Sequence, residues 1–232
     1  LPPCRSPART GERATPHTAQ LMRYERDPAR IYAQSFDVVR SEARLAELPS
    51  DVSEIAVRII HGCGMPDIAS DLAFSDDVVS SARKALAAGA PVLCDCRMVA
   101  AGIIQRALPG GNELVVEVHA EETSALASTL GTTRSAAAVE RWRPQLGGAI
   151  VAIGNAPTAL FHLLDRLDAG WPRPAAILAF PVGFVGAAES KAALAEDSRG
   201  VPFLTLRGRR GGSPMAAAAI NALGLGLKAG AQ

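Results

Sequence analysis

From Ser75 onward the apolar residues alternate between helical spacing and short unbroken runs, with glycine, proline or aspartate marking each switch. The spacing predicts a helix over 75–89 (SDDVVSSARKALAAG), a buried strand over 91–95 (PVLCD), a helix over 97–108 (RMVAAGIIQRAL) and a strand over 114–120 (LVVEVHA). Helical sequence follows over 123–146, broken near Gly131. One grammar then repeats in GAIVAIGNAPTALFHLLDRL, PAAILAFPVGFVGAAESKAAL and VPFLTLRGRRGGSPMAAAAINAL. Each begins as an apolar run, turns at glycine and opens a helix on small residues, the first at Pro157-Thr158. Upstream, DPARIYAQSFDVVRSEARL predicts a helix started by Asp27-Pro28, with Ile31, Phe36, Val39 and Ala43 near helical spacing. SDVSEIAVRIIHGCG predicts a second, capped by Ser50 or Asp51, stopped by Gly62 or Gly64, with His61 in its last turn.

Strands alternating with helices across short connections imply a parallel sheet built from right-handed crossovers. Strands beginning near Val92, Leu114, Ile150, Ala176 and Phe203 predict an α/β fold: a three-layer, flavodoxin-like, doubly wound sheet of about five strands preceded by N-terminal helices. A ligand then belongs at the carboxyl ends of the strands, where Asp95, His119, Asn155, Pro181 and Arg207 fall. At the three glycine junctions, unpaired N–H groups and helix dipoles would form an anion-binding edge. Residues 1–20, rich in Pro, Arg and Thr without periodicity, read as a disordered extension, and 21–232 as a single domain.

Composition narrows the partners. Hydrophobic residues make up 48% of the 232 but aromatics only 4%, so the core is aliphatic and suits helices packed closely on a parallel sheet. A net charge of +1 argues against a nucleic-acid footprint, so any anionic ligand must be met by local groups. No stretch approaches the roughly 18 apolar residues of a membrane span, and four cysteines without a C-x-x-C pair point to a reducing cytoplasm.

Several motifs in order resemble the precorrin-8X methylmutase family of cobalamin biosynthesis from about Tyr24 onward. They are I-Y-x-x-S-F at 31–36, R-I-I-H at 58–61, G-A-P-V-L-C-D at 89–95 and T-R-S-A-A-A at 133–138. A-I-G-N-A-P-T-A-L at 152–160, P-V-G-F-V-G-A-A-E-S-K at 181–191 and G-R-x-G-G-S at 208–213 continue the series. The resemblance implies an isomerase that moves a methyl group from C11 to C12 of precorrin-8X to give hydrogenobyrinate, with no organic cofactor. It also implies a homodimer with its site near the subunit interface, and it matches the catalytic histidine to His61 as general acid. Ser35 and Arg134 match residues associated with the substrate pocket, the motifs extend the set to Asn155, Thr158, Gly208, Gly211, Gly212 and Ser213, and the cationic loop after the last strand adds Arg207. Many members carry Arg before the Ser-Phe pair; this chain has Gln34, which supplies only a neutral hydrogen bond.

The residues also speak without the family. A tetrapyrrole-derived acid is a flat apolar ring edged by carboxylates, needing an apolar floor and separate anion contacts around its rim. Arg207, Arg209 and Arg210 could take carboxylates as bidentate pairs or form a solvated turn. Arg134 opens a helix where the dipole disfavours a cation, which suggests a use elsewhere. A histidine ending a helix is by itself more often a surface residue compensating the dipole; the family match assigns His61 to chemistry. His119 sits at the ligand edge, His162 reads as structural, and Asn155, Thr158, Ser190 and Ser213 could be helix caps. Glu189-Ser190-Lys191 reads as an ion pair or interface element. Cys63, Cys94 and Cys96 with His61 lack the spacing of a zinc site, so no metal is expected. The competing readings are a cobalt-precorrin-8 methylmutase, a corrinoid carrier without catalysis, and a nucleotide or flavin protein, the last disfavoured by the missing G-x-G-x-x-G and Walker loops.

Overall fold

The structure is a computed structural model that describes residues 24–229, so the extension expected over 1–20 lies outside the described residues. Two helices lead, α1 (Pro28–Glu42) and α2 (Ser50–Cys63). Asp27 caps α1 by accepting from the Ala29 amide at 2.9 Å. Pro49, rather than Ser50 or Asp51, holds the cap position of α2, and Gly64 ends that helix. The chain continues through β1 (Leu72–Phe74), α3 (Val78–Ala87), β2 (Val92–Cys94), α4 (Arg97–Gly102), β3 (Leu114–Val115), α5 (Glu121–Leu130) and α6 (Arg134–Trp142). β4 (Ile150–Ile153), α7 (Pro157–Asp168), β5 (Ala176–Ala179), α8 (Ala187–Glu196), β6 (Phe203–Leu206) and α9 (Ser213–Ala229) complete it.

The sheet has six strands in the order β1-β6-β5-β4-β2-β3. The five expected strands are parallel and reverse their order between β2 and β4, the doubly wound arrangement. β1 is the addition: three residues pairing antiparallel with β6, Leu72 opposite Leu206. The expected helix over 97–108 is also shorter, since α4 ends at Gly102 and a separate 3-10 turn covers Gln105–Ala107.

Side chains alternate across the sheet. Ile150, Ala152, Leu178 and Leu204 face α2, α3, α4 and α9, whereas Val151, Ile153, Ile177 and Phe203 face α6, α7 and α8. Both faces are covered, so β2, β4, β5 and β6 are buried throughout and read as continuous apolar runs.

α9 is the central helix of its layer, touching α2, α3, α4 and the ends of β4 and β5. Its start lies against Gly154, where a Cβ would come 2.6 Å from Ser213 Cα and 2.7 Å from Val99 Cγ2. Only a residue without a side chain lets the helix approach so closely. Gly154→Ala should therefore destabilise the fold by about 1–3 kcal/mol, the usual range for overpacking. Urea unfolding measures this; an unchanged midpoint would mean that the backbone gives way without strain.

Candidate functional site

A cavity of about 540 Å³ opens where β2 and β4 diverge, the crevice in which ligands of doubly wound sheets bind. α2 contributes Arg58, His61 and Gly62 to its wall, α9 contributes Ala217 and Ala218, and Asn155 comes from the turn after β4. Arg58 and His61 stand three residues apart on α2 and thus share one helix face. The floor is small and apolar.

His61 is held from the α1 side. Its Nδ1 lies 2.7 Å from Ser35 Oγ, and the rings of Tyr32 and Phe36 stand 5.4 and 5.1 Å from the imidazole. Residues 32, 35 and 36 fall on one face of α1 by helical spacing. α1 is fixed in turn by Arg40, whose guanidinium meets both carboxylate oxygens of Glu54 on α2, at 3.0 and 3.2 Å. When the Ser35 hydroxyl donates to Nδ1, the neutral ring carries its hydrogen on Nε2, leaving that nitrogen for a ligand. Behind the imidazole lies a second cavity of about 410 Å³, bordered by Gln34, Ser35, Val38 and Glu42 as well as His61.

The structure thus brings His61, Asn155, Gly212 and Ser213 into one cavity wall and puts Ser35 directly on the histidine. Gln34 borders the second cavity. Arg134, Thr158, Arg207, Gly208 and Gly211 do not line the first. Arg134 and Thr158 are exposed where α6 and α7 begin, beside a Thr133–Thr158 hydroxyl contact of 2.8 Å. Arg207 and Gly208 are exposed in the turn after β6. Gly211 has a packing reason: a Cβ there would lie 2.3 Å from Phe180 O.

Two expectations at the sheet edge change. Asp95 does not face a ligand: it is buried, and its carboxylate accepts from the amides of Gly154, Asn155 and Ala156 at 2.8–2.9 Å. The junction before α7 is therefore already occupied by an anion of the protein's own, leaving those amides none for a ligand. Burial pushes the Asp95 carboxyl up, and the three amides pull it back. Nor is Arg210 free, because it bridges Asp67 and Asp71, the latter at 2.7 Å. Arg209 stacks over Phe184 at 5.7 Å.

His119 is exposed beyond β3, outside both cavity walls, and His162 pairs with Glu140 at 2.7 Å. Among the described residues no three His, Cys, Asp or Glu side chains are grouped to hold a metal. Cys96 Sγ instead lies 3.3 Å from Ser213 Oγ, and burial raises the Cys94 and Cys96 thiols. Among those residues no helix is long and apolar enough to cross a membrane. Arg58, absent from the sequence-based set, stood in the R-I-I-H motif one turn before the histidine, the signal that could have found it.

Lys191 is neither an ion pair nor an exposed interface element. Its side chain is fully buried and its ammonium donates to the Arg210 carbonyl, tying α8 to the turn that leads into α9. Burial lowers its pKa from 10.5 to about 8. Between about pH 8 and 10.5 the unfolded chain keeps a proton that the folded chain has lost, so stability rises with pH across that window. Urea unfolding at pH 8 and pH 10 should show a gain about 1–3 kcal/mol larger for the wild type than for Lys191→Met. Equal gains in both proteins would show that Lys191 keeps its proton in the fold.

The precorrin-8X methylmutase family model matches residues 30–225. A precorrin-8X methylmutase of Pseudomonas aeruginosa is 58% identical over 203 residues, 88% of this chain and 98% of the relative. A cobalt-precorrin-8 methylmutase of Priestia megaterium is 34% identical over 199 residues, 85% of this chain and 88% of the relative. A solved structure of precorrin-8X methylmutase from Thermus thermophilus superposes with a TM-score of 0.79 at 37% identity, covering 88% of this chain and 97% of that one.

Proposed function

Because the chain belongs to the precorrin-8X methylmutase family, isomerases of cobalamin biosynthesis, we propose that His61 is the general acid of a methyl shift from C11 to C12 of precorrin-8X, giving hydrogenobyrinate. The observation that carries this reading is the Ser35–His61 pair at the wall of the switch-point cavity. A proton placed on a ring nitrogen draws electron density from the migration terminus and lowers the barrier. Substrate and product are isomers, so the proton gained at one ring position is matched by one lost at another, and the imidazole ends the turnover as it began. As general acid the ring acts as the imidazolium: Nδ1–H donates to Ser35 Oγ, Nε2–H faces the substrate, and the neutral imidazole left after the transfer regains a proton from the one the macrocycle releases. Identity of 58% to a precorrin-8X enzyme against 34% to a cobalt-precorrin-8 enzyme favours the metal-free substrate.

A corrinoid acid exceeds the drug-sized ligands that cavities of about 540 Å³ enclose, so it overhangs the rim. We propose that Asn155 and Ser213 meet it inside, beside the glycine turn at Gly212, and that its outer carboxylates reach toward Arg134, Thr158 and Arg207, which are exposed in the segments that follow strands or open helices. Met98 and Val182 of the lining are exposed, and Phe184 and Val185, which follow Val182 closely in the chain, are at 85% and 88% of full accessibility. Apolar area of this kind beside a ligand opening suits a second copy of the chain, so we infer a homodimer acting in the cytoplasm.

His61→Ala should lower isomerisation by about 10²- to 10⁴-fold or more while keeping the fold and most of the affinity for the product. Single-turnover assays with purified protein measure this, alongside titration of the corrinoid by its visible spectrum. Wild-type turnover by the variant would remove His61 from the chemistry, and lost binding with intact chemistry would make it only a contact. Sedimentation run at assay concentration should show a dimer, and a fully active monomer would contradict the inferred assembly.

A further inference from the structure

Residues 207–212 join β6 to α9 and bring Gly212 to the cavity wall, with Ser213 and Pro214 following at the helix start. The contacts that hold this turn converge on Arg210. Its carbonyl accepts from the buried Lys191 ammonium of α8. Its guanidinium reaches Asp67 with one terminal nitrogen and Asp71 with the other, the latter at 2.7 Å. Both acids belong to the 3-10 segment Pro66–Asp71, which leaves α2 shortly after His61. That segment is itself fixed, because Ile68 between the acids is fully buried in the apolar layer shared by α2 and α9. The Asp71 carbonyl also accepts from the Arg207 amide at 2.8 Å. Burial raises the Cys63 thiol in the last turn of α2 and the Arg210 cation pulls it back, so the charge stands close to that helix end.

We propose that Arg210 is a positioning residue for the corrinoid: gripped by Lys191 at its carbonyl and by Asp67 and Asp71 at its guanidinium, it sets the gap between the α2 wall that carries His61 and the α9 wall that carries Gly212 and Ser213. The inference rests on the reading of the cavity as the corrinoid site. A flat, rigid ring touches two walls at once only when their separation is fixed, and a wall ordered before binding spares the complex the cost of ordering it. Half-exposed ion pairs contribute little to stability, so the effect of this bridge falls on the walls rather than on the fold. Its two acids also neutralise the guanidinium, which sets Arg210 apart from a cation kept for a ligand carboxylate.

That last point gives the test a sign. The product acid, hydrogenobyrinate, is titrated by its visible spectrum into wild type, Arg210→Met, Asp67→Asn/Asp71→Asn and the triple variant, each verified as folded by circular dichroism, and turnover of precorrin-8X is followed in parallel. Removing the cation or removing its acids should weaken binding alike, by about 3- to 30-fold. KM should rise by the same factor while kcat stays within about twofold, and the triple variant should lose no more than either parent. Melting temperatures should move by less than about 4 °C. If Arg210 instead met the corrinoid directly, freeing it from two acids would tighten binding; unchanged or tighter binding by Asp67→Asn/Asp71→Asn therefore overturns the inference. So does an Arg210→Met protein with wild-type affinity and KM, and so does a loss confined to kcat. Wild-type protein that fails to bind the product overturns the reading of the cavity as well.

Discussion

The approach of α9 to the end of β4 at Gly154 is the constraint on which the site depends. With Ser213 Cα 2.6 Å from where a Cβ would stand, the helix starts in backbone contact with the sheet at the point where strand order reverses. α2 packs along α9, so the same approach sets the position of Arg58, His61 and Gly62. Asp95 secures the other side: buried between β2 and α4, it gathers the amides of Gly154, Asn155 and Ala156 and keeps the turn after β4 in one shape. A buried carboxylate is a demanding choice for this task, and three amide donors at a helix start are what make it tolerable.

Around that frame the cavity is poor in charge, which agrees with a chain of net charge +1. Two arginines outside its lining are engaged by acids of the protein, Arg40 by Glu54 and Arg210 by Asp67 and Asp71. What remains inside is one histidine oriented by a serine and one arginine stacked on a phenylalanine. The division of labour follows from that economy. On the proposed reading, apolar and small residues accept the ring and the imidazole is left for proton transfer.

The sequence pattern made the sheet legible because four of its strands are buried on both faces and read as unbroken apolar runs. β1 escaped because three residues at an edge, with only Ala73 buried, carry too little periodicity. α4 was overextended because Ile103 and Ile104 continue the apolar spacing, although Asn221 captures the Ile104 amide at 2.7 Å and ends the helix from α9. At the site, the helix-end position of His61 and its motif were visible, whereas the partner choices were not. Asp95 sits at a strand end either way, and whether it faces a ligand or the amides 59–61 residues later depends on tertiary contact. Arg210 likewise finds its acids 139 and 143 residues away.

The account stands most directly on where the macrocycle lies relative to the imidazole. A crystal structure with the corrinoid product bound measures that position. It should place the ring in the switch-point cavity with one of its atoms within hydrogen-bond reach of His61 Nε2, while Nδ1 keeps its contact with Ser35. A ring bound elsewhere on the protein, or one in the cavity with His61 turned away and Ser35 bonded to the ligand instead, would contradict it.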